Sequence, residues 1–255
     1  MDETMDNGSS KRPVSNKRRG GTSGIFQQRE GPTATGRPFL AVIFDMDGVL
    51  VDTEPVINAA AISGLKEFDV DAKPDDFIPF IGAGEIKYIG GVAEKYGVTY
   101  RPEMKDRVYQ IYLQIVDDML KVCKGTHICL DRLRRAGIAM ALASSADRIK
   151  IDANLKAAVI PDEIFQAIVS AEDVVHRKPA PDIFITAAAR LGIPSQRCIV
   201  VEDAVNGVQA AKSAGMFCIA VTTTFKKEEL AAAGADALCD NLNEVCDICL
   251  SLGKK

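Results

Sequence analysis

Five short apolar runs, with helical stretches between them, constrain this chain more than any other feature. They are Phe39–Phe44, Ile138–Ala143, Ile164–Val169, Cys198–Val201 and Phe217–Val221. A run with no regular polar alternation has no face to give to water, so each reads as a strand buried on both sides. The stretches Asp147–Ala158, Pro181–Leu191 and Ala204–Ala214 carry helix punctuation. Asp147 stands at an N-cap position, Pro181 in a first turn, and Gly192 and Gly215 just past two helix ends. This alternation predicts an α/β core in which a parallel sheet is covered by helices on both faces.

One segment interrupts the pattern. No strand-like run is found between Glu54 and Lys124; helical patterns occupy Pro55–Phe68, Asp75–Phe80, Glu85–Tyr96 and Pro102–Val122, separated by Gly and Pro signals. At roughly 70 residues this segment is large enough to pack as a unit of its own. The predicted organisation is therefore a core formed by residues 38–53 and 125–255, with an all-helical insertion over 54–124. Residues 1–37 differ from both. They are rich in Gly, Ser, Thr, Pro, Lys and Arg and are expected to be a disordered basic tail, since they offer too little apolar surface to offset chain entropy. The tail carries net +3, which leaves −7 on the remainder of a chain whose formal charge is −4.

Composition excludes several classes. The apolar runs are too short to cross a membrane. The N-terminus, Met-Asp-Glu, lacks the basic start and apolar run of a secretory signal. The overall negative charge gives no reason to expect a nucleic-acid partner. Seven scattered cysteines argue for a reducing compartment, taken as the cytoplasm, with the plastid as alternative. A monomer is expected.

Chemistry concentrates where strands end. The first run leads into Asp45-Met46-Asp47-Gly48, placing two carboxylates and a flexible glycine at the carboxyl end of a parallel strand, where open α/β sheets bind ligands. The second run ends in Ser144-Ser145, the hydroxyls preceding a helix N-terminus that can also face an anion. Lys178 sits in Arg177-Lys178-Pro179-Ala180-Pro181-Asp182, its approach stiffened by two prolines. The fourth run ends in Glu202-Asp203. Two acid clusters and one lysine at separate strand ends imply an Mg²⁺ site beside a phosphate site.

In this order, Asp45-x-Asp47-Gly, Ser144, Lys178-Pro-Ala-Pro-Asp and Glu202-Asp203-Ala-Val-Asn-Gly resemble the four motifs of the haloacid dehalogenase-like superfamily. The insertion resembles its helical cap, and the nearest group is that of the β-phosphoglucomutase-like phosphatases. Stretches 84–93 and 143–156 are similar to the corresponding domain of a chloroplast member. The resemblance covers about residues 39–245. It implies a Rossmann-like three-layer core and a phosphatase acting on a small phosphorylated metabolite such as a sugar or polyol phosphate. Asp45 would be the nucleophile, forming an aspartyl-phosphate, and Asp47 the general acid and then base. Ser144, Ser145 and Lys178 would hold the phosphoryl oxygens. Mg²⁺ would be bound by the Asp45 carboxylate, the Asp47 carbonyl and Asp203, with Glu202 as support or ligand. In the insertion, Gly84, Glu85 and Lys87 are the candidate substrate contacts.

Departures from the family refine this. Mutases of the group carry a histidine where Ile57 stands, and a phosphate-gripping arginine where Glu85 stands. Both changes favour a phosphatase over a hexose-phosphate mutase. Ala204 replaces a frequent serine. A non-catalytic sensor of a phosphorylated ligand would need neither Asp45 nor Asp47 as reacting groups. Cys246-x-x-Cys249 lies among apolar neighbours and reads as helix packing, and His127 and His176 are not expected to be catalytic.

Overall fold

The computed structural model describes Met1, residues 39–82 and residues 84–253. The expected basic tail lies outside the described residues, apart from Met1. In chain order the elements are β1 (Ala41–Phe44), β2 (Val51–Asp52), α1 (Glu54–Lys66), α2 (Glu85–Lys95), α3 (Pro102–Met119), β3 (Lys121–Val122), α4 (Thr126–Arg135), β4 (Ala139–Ala143), α5 (Arg148–Ala157), β5 (Ala167–Val169), α6 (Asp182–Leu191), β6 (Cys198–Glu202), α7 (Val205–Ser213), β7 (Phe217–Val221), α8 (Lys227–Ala232), β8 (Ala237–Cys239) and α9 (Leu242–Gly253). Six strands form a parallel sheet in the order β5-β4-β1-β6-β7-β8. Among the described residues no helix is long and apolar enough to cross a membrane.

The absence of polar residues in the central runs has a direct structural meaning. Val42 and Phe44, Met140 and Leu142, Ile199 and Val201, and Ile219 and Val221 point to one face, where they pack with α4, α5 and α9. The alternate residues, Ala41 and Ile43, Ala141 and Ala143, Cys198 and Val200, and Cys218 and Ala220, point to the other face beneath α6, α7 and α8. Successive side chains of a strand must face opposite ways, so a strand covered on both faces requires apolar residues throughout. The layers are therefore helix, sheet, helix, as expected.

Several boundaries move. The strand expected over Ile164–Val169 is confined to β5; Asp162–Ile164 makes a short 3₁₀ turn instead. The helix expected over Pro102–Val122 stops at Met119, and Lys121–Val122 becomes β3, antiparallel to β2. The stretch 54–124 is thus not free of strand. Pairing of Val51 with Val122 and Asp52 with Lys121 competes successfully with another helical turn, and Cys123 N–H donates to the Leu50 carbonyl. Two-residue strands are too short to show a period. Strand β8 and helix α8 complete the sheet edge, without a long apolar run to announce them.

Helices α1, α2 and α3 share a separate apolar cluster that includes Val56, Leu65, Phe77, Ile89, Met104 and Val108. Gly64 permits the close α1–α3 crossing: a Cβ there would lie 2.9 Å from a Val108 methyl. The insert is tied to α5 of the core by polar contacts. Tyr112 donates to Asn154 Oδ1 at 2.7 Å, and Lys105 pairs with Asp147. Asp147 does hold the N-cap position of α5, but its side chain serves this ion pair and makes no cap hydrogen bond.

Candidate active site

Strands β4, β1 and β6 are neighbours in the sheet, so their carboxyl ends deliver Ser144, Asp45 and Glu202-Asp203 to one place. Lys178 enters from the loop before α6. Its Nζ lies 2.5 Å from Asp45 Oδ1 and 2.6 Å from Glu202 Oε1, above the Phe184 ring. Asp45, Asp47, Ser145, Lys178, Glu202 and Asp203 line a single cleft, and its other wall includes Gly84 and Glu85 of the insert. Ser144 is fully buried at its floor, with Oγ 3.4 Å from Asp47 Oδ2 and accepting from Ala146 N–H.

Local structure explains the placement of the acids. Glu202 turns back under the start of α7, where its Oε2 accepts from the Asp203 and Ala204 N–H groups at 2.9 Å each. Ala204 is the N-cap of α7, so its N–H has no intrahelical partner. Gly207 makes room for Glu202; a Cβ there would fall 1.8 Å from Glu202 Oε1. Gly48 has φ +78°, and a Cβ would sit 1.9 Å from Asp203 Oδ2, so the glycine is needed both for the turn and for the approach of Asp203. Thr224, on the loop after β7, donates to Asp203. Gly48→Ala is expected to displace Asp203 and to cost about 1–3 kcal/mol of stability in backbone strain. The measurable result is a Tm drop together with a change in the affinity for added Mg²⁺, read by calorimetry, of at least about tenfold. An unchanged affinity would show that Asp203 does not need this position.

The electrostatics separate the two leading carboxylates. Burial pushes Asp45 up, and although Lys178 opposes this, the nearby Glu202 and Asp47 reinforce it, leaving the carboxyl at about 7. Asp47 is desolvated too, but Lys150 and a 2.5 Å hydrogen bond from Thr53 outweigh that and hold it below the usual carboxylate range. Asp203 is raised by burial and by repulsion from Glu202 and Asp45. Lys178 is desolvated, yet Asp45 and Glu202 raise it above the ordinary lysine value.

Among the described residues that line the cleft, acid outnumbers base: Asp45, Asp47, Glu54, Glu85, Glu202 and Asp203 surround Lys150 and Lys178. Hard carboxylate oxygens in excess of compensating charge suit Mg²⁺ or a similar cation. Among the described residues no three His, Cys, Asp or Glu side chains are grouped to hold a metal ion. The expected set was Asp45, Asp203 and the Asp47 carbonyl, with Glu202 as support or ligand; Glu202 does not join it as a ligand, because Lys178 takes its Oε1 and the Asp203 and Ala204 N–H groups take its Oε2. Asp45 and Asp203 line the same cleft, and their hard oxygens suit such a cation.

Sequence reasoning missed Lys150. It is on the buried face of α5 with Ile151 and Asn154, and its Nζ lies 3.1 Å from Asp47 Oδ1 and 3.1 Å from Glu85 Oε1. A lysine within the buried stripe of a helix was the available signal. Lys87, expected beside the substrate, is exposed and lies away from the cleft. Glu85 begins α2 facing inward, and two residues further along a helix is about 200° around it. His176 is exposed and pairs with Asp182, whereas Cys246 and Cys249 pack inside the core on α9 with free thiols.

Comparison with known proteins places this geometry. Residues 42–221 match the model of the haloacid dehalogenase-like hydrolase family. The chain is 44% identical over 212 residues to the Arabidopsis thaliana protein Suppressor of Quenching 1, chloroplastic, a match covering 80% of this chain but only 20% of that protein. It is 35% identical over 198 residues to the β-phosphoglucomutase of Bacillus subtilis, covering 71% of this chain and 82% of the enzyme. It is 27% identical over 215 residues to hexitol phosphatase B of Escherichia coli, covering 83% and 96%. Among solved structures, CbbY from Rhodobacter sphaeroides in complex with phosphate superposes with a TM-score of 0.72 at 26% identity, covering 81% of this chain and 96% of that one.

Proposed function

The chain belongs to the haloacid dehalogenase-like hydrolase family, and on that premise we propose that it is an Mg²⁺-dependent phosphatase of a small phosphorylated metabolite, a sugar or polyol monophosphate. The observation that carries this reading is the meeting of Asp45, Asp47, Lys178 and Asp203 around one cleft, with Ser144 buried against Asp47; three adjacent strand ends and the loop before α6 supply them.

The roles follow from the surroundings of each group. Lys178 occupies Asp45 Oδ1, which leaves Oδ2 to attack phosphorus. The P–O bond to the alcohol breaks as the Asp45–phosphorus bond forms, and Asp47 gives the departing oxygen its proton. In the second step Asp47 takes a proton from water, whose oxygen attacks the phosphorus of the aspartyl-phosphate. Inorganic phosphate leaves and the Asp45 carboxylate returns. Thr53 and Lys150 hold Asp47 ionised when the cleft has no substrate. A phosphoryl dianion beside it raises its proton affinity, as any like charge does. Ser144 and Lys178 meet the charge that develops on the phosphoryl oxygens. Mg²⁺, held by Asp45, Asp203 and the Asp47 carbonyl with Glu202 in support, would neutralise charge shared between the nucleophile and the phosphoryl group. Residues 54–124 serve as a cap that excludes water from the first step and selects the substrate.

The identity to a β-phosphoglucomutase gives the mutase reading its support. Against it, Ile57 and Glu85 occupy the places from which a mutase would handle its leaving group and second phosphate. The relation to a chloroplastic protein favours the plastid over the cytoplasm. The test is hydrolysis of p-nitrophenyl phosphate. We expect turnover with Mg²⁺, loss of at least about 100-fold on chelation with EDTA, recovery on adding Mg²⁺ back, and no stimulation by a hexose bisphosphate. A requirement for the bisphosphate would decide for the mutase, and absence of turnover under all conditions would favour a sensor.

A further inference from the structure

Glu85 is anomalous. Its side chain is 10% exposed and its Oε2 accepts from the Tyr109 hydroxyl. Its Oε1 is the one buried side-chain polar atom among the described residues without a hydrogen-bond partner. Lys150 Nζ lies within ion-pairing distance, 3.1 Å, but off the line that a hydrogen bond requires. A buried carboxylate oxygen left without a donor is costly, and a bound group that supplies the donor removes that cost. Glu85 lines the cleft, so the missing donor can come from a substrate.

The position of Lys150 restricts what that donor is. Its Nζ is 3.1 Å from both Asp47 Oδ1 and Glu85 Oε1, so those two oxygens are no more than about 6 Å apart. A leaving-group oxygen hydrogen-bonded to Asp47 and a second oxygen bonded to Glu85, each at ~2.7 Å, fit within this span if they are borne on carbons one or two bonds apart. An ammonium group would be repelled by Lys150. A second phosphate would be repelled by Glu85 and by Glu54, which also faces the cleft and accepts from Tyr88 at 2.7 Å. A hydroxyl suits both neighbours, because it donates to Glu85 and accepts from Lys150.

We propose that Glu85, with Lys150, reads a substrate hydroxyl on the carbon next to the phosphorylated carbon, so that the chain selects vicinal-diol monophosphates and rejects deoxy analogues and bisphosphates. This deepens the phosphatase reading and rests on it. Sites built to bond a substrate hydroxyl discriminate strongly against its absence, because the buried protein groups are then left unpaired.

The test compares 1,2-propanediol 1-phosphate with propyl phosphate, which differ in one hydroxyl. In the Mg²⁺-loaded wild type the diol phosphate is expected to have a kcat/KM at least about 100-fold higher, and in Glu85→Ala this ratio falls below about tenfold. Should the alanine variant fold poorly by circular dichroism, the isosteric Glu85→Gln is used, and its ratio is expected to fall at least about fivefold. A wild-type ratio near one overturns the proposal. Calorimetric binding of the same two phosphates to the Asp45→Asn protein separates the two readings. A tenfold or greater preference for the diol phosphate sustains the hydroxyl readout even where turnover is absent. Equal affinities overturn it even where turnover is robust.

Discussion

Asp45→Asn is expected to lower kcat for any phosphomonoester by at least about 10⁴-fold, equivalent to ~5.4 kcal/mol of barrier. The amide cannot attack phosphorus as a carboxylate does, and no neighbouring group replaces it. Asp47 is held by Thr53 and Lys150, and Glu202 is committed to Lys178 and to the Asp203 and Ala204 backbone just ahead of α7. The fold should survive. The substitution removes one of several crowded carboxylates and keeps its shape, so the loss of one Lys178 contact is offset by relief of repulsion from Glu202 and Asp47. Two measurements check this: steady-state turnover of p-nitrophenyl phosphate, and acid-quench trapping of a phosphorylated protein. Residual activity above about 1% of wild type, or a phosphoprotein that still forms, would remove Asp45 as nucleophile.

The largest stability effect is expected at Lys178. Its side chain is 4% exposed and lies against both Asp45 and Glu202. Lys178→Met retains the stem over Phe184 but leaves Asp45, Glu202 and Asp203 buried without their cation. Removing one member of such a network costs about 3–5 kcal/mol, because the remaining charges keep their desolvation penalty. For a chain of this size that is a fall in Tm on the order of 10 °C. Turnover should fall by about 10²–10³-fold or more, the usual loss when a preorganised donor to developing charge is removed. A Tm within about 2 °C of wild type would mean that the carboxylates find compensation elsewhere and that Lys178 is not their essential partner. The comparison with Asp45→Asn is informative, since one change is expected to disable chemistry alone and the other chemistry and stability together.

Much of the site was legible because the backbone carries it. Asp45, Asp47 and Glu202-Asp203 follow directly on apolar strands, and a parallel sheet leaves little choice about where the carboxyl end of a strand points. Ser144 is readable for the same reason. Lys178 was readable from the prolines around it. The insert side was not. Lys150 looks like one more surface lysine until α5 is seen to turn that face toward α3, and its partner Glu85 lies 65 residues earlier on another element. Lys87 was misplaced because helical phase, not closeness in sequence to Glu85, decides which side faces the cleft. Thr224, which supports Asp203, has no local pattern, and β3 is too short and too exposed to show a period.

The layered α/β core, and the order in which acids and hydroxyls leave its strands with a lysine between them, are written in the chain locally, because the periods of hydrophobic burial and the ends of strands depend on neighbouring residues alone. Tertiary structure alone decided how the helical insert closes that edge. The contacts of Glu85, Lys150 and Tyr109 join elements distant in sequence, and whether a charged side chain is paired, buried or free depends on what a second element places beside it.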